Sequence, residues 1–427
     1  MTHPAAPMQP GALDGPGLRR VVAALSLTQI TSWGVLYYAF AALSPSIMAD
    51  TGWSSVQVTG AFSLSQLVSA VAGIWVGRHI DRVGPRRVMT ACSLLTVPGL
   101  LAVATAQDVV VFYVGWLMAG AAMAGVLYPP AFAALTRWGG GRRVEALTTL
   151  TLVAGLASTV FAPLASGLEG WLDWRGAYLV LLGGLVAITV PLHWWGLRHP
   201  WLTGPHDDPT FDTGETTTAP TLDVREVIGS QAFVLLTVAM ALTSLSVFAV
   251  VINLVPMLVE QGMTPHLAAV ALGLGGVGQV AGRLGYARFA ARTTITARTV
   301  IVAAALAVAT GALALSPDVP AVLVGLGMLA GLARGIYTLI QATAVTDRWG
   351  PAAYGTLNGV LTAPSLIASA AAPFIGAALA QVLGSYTDAF LVLAGLTGVA
   401  AILFTYASPN GRPSSPATLT TEGTHHA

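Results

Sequence analysis

Twelve runs of apolar residues, each close to the length of a helix that crosses a bilayer, constrain this chain more than any other feature. A helix rises 1.5 Å per residue, so about 20 apolar residues cross a hydrocarbon core of about 30 Å. Within that core every backbone polar group must be satisfied by the segment itself, which favours helices. The runs are expected at about 21–43, 56–76, 88–106, 109–135, 146–168 and 177–196, then at 231–259, 267–290, 299–316, 319–343, 355–380 and 388–407. Composition agrees: 55% of the 427 residues are hydrophobic and 9% are charged, against about a quarter charged in a soluble domain. The expected fold is an all-α membrane protein with twelve transmembrane helices in two pseudo-symmetric six-helix bundles. Its expected parts are a disordered tail over 1–18, a first bundle over 19–196, a linker over 197–229, a second bundle over 230–407 and a disordered tail over 408–427.

Arginines orient this plan, because they collect at the cytoplasmic ends of spans. The sequence contains no lysine, and sixteen of its nineteen arginines fall on one face of the expected topology, with Arg175 alone on the other. Both termini are therefore expected in the cytoplasm and the chain in the cell inner (plasma) membrane. Arg19 and Arg20 precede the first run as in a signal peptide, but the run continues past signal length and reads as the first span. A net charge of +1 offers no basic face for nucleic acid. A single cysteine, Cys92, excludes an intrachain disulfide. No metal-ligand spacing, Walker sequence or nucleophile–base pair is present, so no metal, no cofactor and no enzymatic activity are expected, and the chain is expected to be a monomer.

The turn after the second run, Gly77 to Val88, carries Gly77, Asp81, Arg82, Gly84, Arg86 and Arg87. Those residues resemble the loop between helices two and three of the major facilitator superfamily. That resemblance implies two bundles rocking about a central site. It also implies a gating role for the turn, with glycines that let helices approach and a carboxylate latched to arginines. A worn copy follows span eight, where Ala287, Ala291 and Arg292 stand in place of Gly77, Asp81 and Arg82. The ends of spans four and ten also match, Ala134-Leu135-Thr136-Arg137-Trp138-Gly139 against Ala344-Val345-Thr346-Asp347-Arg348-Trp349-Gly350, as in parallel repeats.

Two arginines, Arg283 in span eight and Arg334 in span ten, fall inside runs, and no Asp or Glu lies in the interior of any run. A charge in the hydrocarbon region is costly and marks a cavity or a partner. Two guanidiniums without acids therefore point to an anionic substrate, for which a planar fork of donors suits a carboxylate. The alternatives are snorkelling for Arg283 and backbone-carbonyl bonding for Arg334. The four-to-five junction, with Pro130-Ala131, Trp138, Arg142-Arg143, Ala146, Ala154-Gly155 and Ser158, is similar to that of the monocarboxylate transporters and oxalate/formate antiporters. This similarity implies a substrate-binding role for Arg283. The lysines those families use are absent, and Gln279 replaces the span-eight aspartate of the animal carriers.

Gln29, Trp33 and Tyr37, at helical spacing on span one, together with Tyr128, Asn253, Gln279 and Asn358, complete the expected binding set, with interhelical packing as each one's other reading. Tyr128-Pro129-Pro130 is expected to break span four. Gly273, Gly275, Gly276, Gly278 and Gly282 read as close-packing positions, and His193, beside Trp194 and Trp195, as an interfacial histidine in an aromatic belt. Together these readings predict a carrier for a small organic anion such as a monocarboxylate, by symport or antiport. The rival is a drug or metabolite efflux proton antiporter, on the strength of Ala162-Pro163 and Gly167 in span five.

Overall fold

The computed structural model describes residues 13–201, 224–316, 319–349 and 354–407, and among them all regular structure is helical. Eleven continuous apolar helical stretches hold twelve crossings, because the stretch Glu145–Gly196 folds back on itself at Asp173, whose φ is 61°. In chain order the spans are Gly15–Thr51, Ser55–Val83, Pro85–Thr105 and Val109–Gly139, then two crossings within Arg143–Ala154 and Ala157–Gly196. The second half follows as Gln231–Glu260, Pro265–Arg292, Ile295–Leu315, Pro320–Trp349, Tyr354–Leu383 and Tyr386–Tyr406.

Capping sets where the spans start. Asp14, Asp108, Ser230, Thr264, Thr294 and Ser385 each accept a backbone N–H from the first turn of the span they precede, and Ser54 forms a full capping box with Gln57. One glycine makes a whole turn: Gly84, at φ 82°, ends span two, and Pro85 opens span three. Only glycine adopts that conformation freely.

Several boundaries differ from expectation, each for a local reason. Span one begins at Gly15 rather than after residue 18, because Asp14 caps it and the Leu13 N–H donates to the Trp138 carbonyl at 2.9 Å. The linker is not featureless at its ends: Leu197 is buried, Trp201 packs edge-on to Trp138, and Val224–Gly229 is a short helix. The rest of the linker, the start of the first tail and the second tail lie outside the described residues. His193 is fully buried between spans six and three, its Nδ1 2.8 Å from the Ser93 hydroxyl, and is not interfacial. Arg175, the exception to the arginine asymmetry, is ion-paired with Asp50, which also accepts from the Trp174 indole at 2.9 Å.

The two halves meet along spans five and eight and along spans two and eleven. Thr159 Oγ1 donates to the Gly273 carbonyl at 2.8 Å, and the Phe374 N–H donates to Ser63 Oγ at 2.9 Å. A Cβ on Gly276 would fall 2.2 Å from Ser158 Oγ, so that glycine allows the close approach its spacing suggested. These contacts lie at mid-membrane and toward the face opposite the arginines. On the arginine-rich side the expected close approach at Gly77 is absent, since a Cβ there would meet nothing within 4 Å.

Candidate substrate site

Proline chemistry in span four shapes the site from the first half. Pro130 has no N–H to give the Val126 carbonyl one turn earlier, so the helix stops at Val126, passes through an extended Leu127 and restarts at Tyr128. Gln29 supplies the missing donor from span one, its Nε2 lying 2.7 Å from the Val126 carbonyl and 3.3 Å from that of Leu127. Gln29 is fully buried and is thereby committed to the helix break.

The break places Tyr128 against Trp33, ring centroids 5.0 Å apart, and Trp33 in turn packs on Tyr37 at 5.4 Å. A π-helical turn at Gly34–Tyr38 rotates the aromatic residues of span one relative to a regular helix. Such bulges recur at functional sites. The turn also lets span five approach, as a Cβ on Gly34 would overlap the Phe161 ring at 2.1 Å.

Span eight faces this ladder from the second half. Its glycines let span ten come to backbone contact: a Cβ on Gly278 would sit 2.1 Å from the Met328 carbonyl oxygen, and one on Gly335 2.1 Å from that of Gln279. Gln279 consequently meets Arg334 across the helix pair, its Oε1 accepting from Arg334 Nη2 at 2.9 Å. Arg283, one turn further along span eight, donates from Nη1 to the Thr151 carbonyl of span five at 2.6 Å. Arg283 lies near enough to Tyr128, and Arg334 to Tyr37, for each guanidinium charge to act on the phenol. One aromatic ladder, Tyr37–Trp33–Tyr128, thus connects the two guanidiniums across the boundary between halves.

The polar atoms here are unevenly satisfied. Arg334 Nε, Trp33 Nε1 and the Tyr37 hydroxyl are buried donors with no protein acceptor. The ion pairs among the described residues are Arg175–Asp50 and Arg298–Asp347, so neither Arg283 nor Arg334 has an acidic partner there. A cluster of donors with positive charge and no carboxylate can bind an anion, each charge-assisted hydrogen bond contributing about 1.5–3 kcal/mol. A hollow of about 30 Å³ in the second half, lined by Arg334, Ser246, Thr310 and Thr397 among apolar side chains, has room for a water or two.

The other expected residues lie elsewhere. Asn253 is fully buried and spans the packing of spans seven and eleven, donating to the Ala249 carbonyl at 2.9 Å and the Pro373 carbonyl at 3.3 Å. Asn358 is half-buried on span eleven, its Oδ1 without a partner and no described contact joining it to the ladder. In the turn between spans two and three, Arg86 donates to the Trp194 carbonyl at 2.7 Å and stacks on that indole at 4.1 Å, tying span three to span six. Arg82 and Arg87 are exposed, and the side chain of Asp81 lies outside the described residues.

Comparison with known proteins agrees with this architecture. The family model of the Major Facilitator Superfamily matches residues 25–314 and 234–426. The chain is 28% identical over 407 residues to monocarboxylate transporter 13 of Bos taurus, covering 91% of this chain and 89% of that protein. It is 28% identical over 359 residues to monocarboxylate transporter 11 of Mus musculus, covering 83% and 67%. Among solved structures, a bacterial homolog of the human lysosomal transporter Spinster, inward-facing and occupied, superposes with a TM-score of 0.73 at 15% identity, over 92% of this chain and 97% of the other. A mutant of the nucleoside transporter NupG superposes with a TM-score of 0.72 at 14% identity, over 91% and 99%. At those identities the structural likeness shows the fold alone. The resemblance read from the sequence, to the superfamily and to its monocarboxylate branch, holds.

Proposed function

The chain belongs to the Major Facilitator Superfamily, as a multi-pass membrane transporter, and from that premise we propose that it carries a small organic anion, a monocarboxylate or similar carboxylate. One observation carries the reading: Arg283 and Arg334 face an aromatic ladder of the opposite half with no described acid to neutralise them. A bound carboxylate would supply the acceptors that Arg334 Nε, Trp33 Nε1 and the Tyr37 hydroxyl lack. Tyr128 and Gln279 would orient the remainder of the solute.

The donors come from both halves, so rocking one half against the other changes how many of them a solute meets at once. That difference is what an alternating-access carrier requires. The contacts between spans five and eight and between spans two and eleven would then act as the gate of one face, and the arginine-rich face would carry the other. The Asp81–arginine turn would form the corresponding latch when that face closes. No carboxylate sits in the interior of a span, so a co-transported proton would enter with the substrate. The relatives named as monocarboxylate transporters support the substrate class. The chain would work as a monomer in the plasma membrane.

Uptake into proteoliposomes tests this reading, using labelled small monocarboxylates and their neutral amides under an imposed pH gradient. Carboxylates are expected to enter and amides to be excluded. Equal uptake of both, or full carboxylate transport by Arg283→Ala, would overturn it.

A further inference from the structure

A second basic site lies away from the substrate ladder, in a hollow of about 700 Å³ between the arginine-rich ends of spans two and three. Span two lines it with Trp75, Arg78, His79 and Arg82, and span three lines it with Arg87 and Ala91. Trp75, Arg78 and Arg82 lie at intervals of three and four residues, and Arg87 and Ala91 are four apart, so each helix turns one face to the hollow. Arg78, Arg82 and Arg87 are exposed, and none makes a described ion pair or hydrogen bond, whereas Arg86 beside them is fully engaged with Trp194. The stretch from Gly77 to Val88 holds four arginines and one acid, Asp81, so it is basic whatever Asp81 does.

Three guanidiniums with no partner among the described residues, around one hollow, repel each other and call for a shared anion. The lining says which kind. Away from the arginines the hollow becomes apolar, with Ala91 and the exposed Trp75 on its walls, and a tryptophan at that depth is typical of the membrane interface. Inorganic phosphate would meet the arginines and leave most of the volume empty. A phosphodiester headgroup with its glycerol and first methylenes fills both parts, and basic pockets between spans on the cytoplasmic side suit anionic lipids. We propose that this hollow binds the headgroup of an anionic phospholipid from the leaflet on the arginine-rich face. The site needs only membrane embedding and stands independently of the substrate assignment.

Native mass spectrometry of the purified, delipidated full chain tests the proposal, with dioleoylphosphatidylglycerol and dioleoylphosphatidylcholine titrated separately. The anionic lipid is expected to bind more tightly and to raise the unfolding midpoint, since it binds only the folded chain. The triple variant Arg78→Gln, Arg82→Gln, Arg87→Gln is expected to bind it about 100-fold more weakly, from about 1 kcal/mol per basic residue near an anionic surface. Arg288→Gln with Arg292→Gln, exposed on the same face of the second half, should leave the affinity within a few-fold. Ala91→Trp fills the hollow with every arginine retained and should also weaken binding, which keeps the test decisive if the triple variant fails to fold. Equal affinity for the two lipids, wild-type affinity in the triple variant or in Ala91→Trp, or displacement of the lipid by millimolar glycerol 3-phosphate would each overturn the proposal.

Discussion

Gln29→Met removes the donor that completes span four at its break. Pro130 leaves the Val126 carbonyl without its helical N–H, and Gln29 Nε2 replaces it at 2.7 Å from a fully buried position. Once the glutamine is gone, that carbonyl sits where water does not reach, at a cost of about 1–3 kcal/mol. Methionine has nearly the same volume, so little is added by a cavity. Part of the loss is offset, because Gln29 Oε1 has no partner of its own and its removal relieves that burial. A net loss of about 1–2 kcal/mol remains, which corresponds to a fall of about 2–8 °C in the unfolding midpoint at 2–4 °C per kcal/mol. Tryptophan fluorescence during a thermal ramp in detergent reads the shift. Pro130→Ala restores a backbone N–H for Val126, so the glutamine should matter less in that background, with a coupling of about 1 kcal/mol. An equal fall in both backgrounds, or none in the native one, would refute the assignment of Gln29 to the helix break.

The packing of spans eight and ten gives a further expectation. A Cβ on Gly331 would lie 1.9 Å from the Gly275 carbonyl oxygen, so Gly331→Ala should push the spans apart, cost about 1–3 kcal/mol in a midpoint assay and reduce transport by shifting Arg334. In the second half Arg298 Nη2 donates to Asp347 Oδ2 at 2.5 Å, and Asp347 also accepts from Thr343 Oγ1 at 2.9 Å. Arg298→Gln should lower stability by about 1–3 kcal/mol, and Arg298→Gln with Asp347→Asn by less, because the double change leaves no lone charge behind; the two midpoints compared side by side decide it. Arg283→Lys keeps the charge and loses the fork, so it should transport carboxylate less well than wild type and better than Arg283→Ala in the same vesicle assay.

Much of the fold can be read along the chain because its signals are local. Twelve apolar runs, a lopsided arginine distribution and the Tyr128-Pro129-Pro130 break each depend on neighbours a few residues apart. The glycines of span eight also announced a close approach, and Gly278 and Gly282 make it against the backbone of span ten. The roles of polar residues depend instead on partners far away in sequence. Gln29 reads as a site residue from its face on span one, yet its partner is Val126, 97 residues on. His193 reads as interfacial beside two tryptophans and is buried against span three, its Nδ1 hydrogen-bonded with the hydroxyl of Ser93, 100 residues back. Gln279 entered as a departure from a family pattern, and only the packing of spans eight and ten reveals it as the partner of Arg334, 55 residues away. The π-helical turn at Gly34–Tyr38 has no sequence signal beyond the glycine that tolerates Phe161.

Equilibrium binding of a labelled monocarboxylate to the purified chain tests the anion site most directly, with Arg283→Gln and Arg334→Gln combined in one variant and folding checked by its unfolding midpoint. Two lost charge-assisted hydrogen bonds at about 1.5–3 kcal/mol each predict affinity reduced at least about 100-fold. A folded double variant that binds the carboxylate as wild type does would contradict the account.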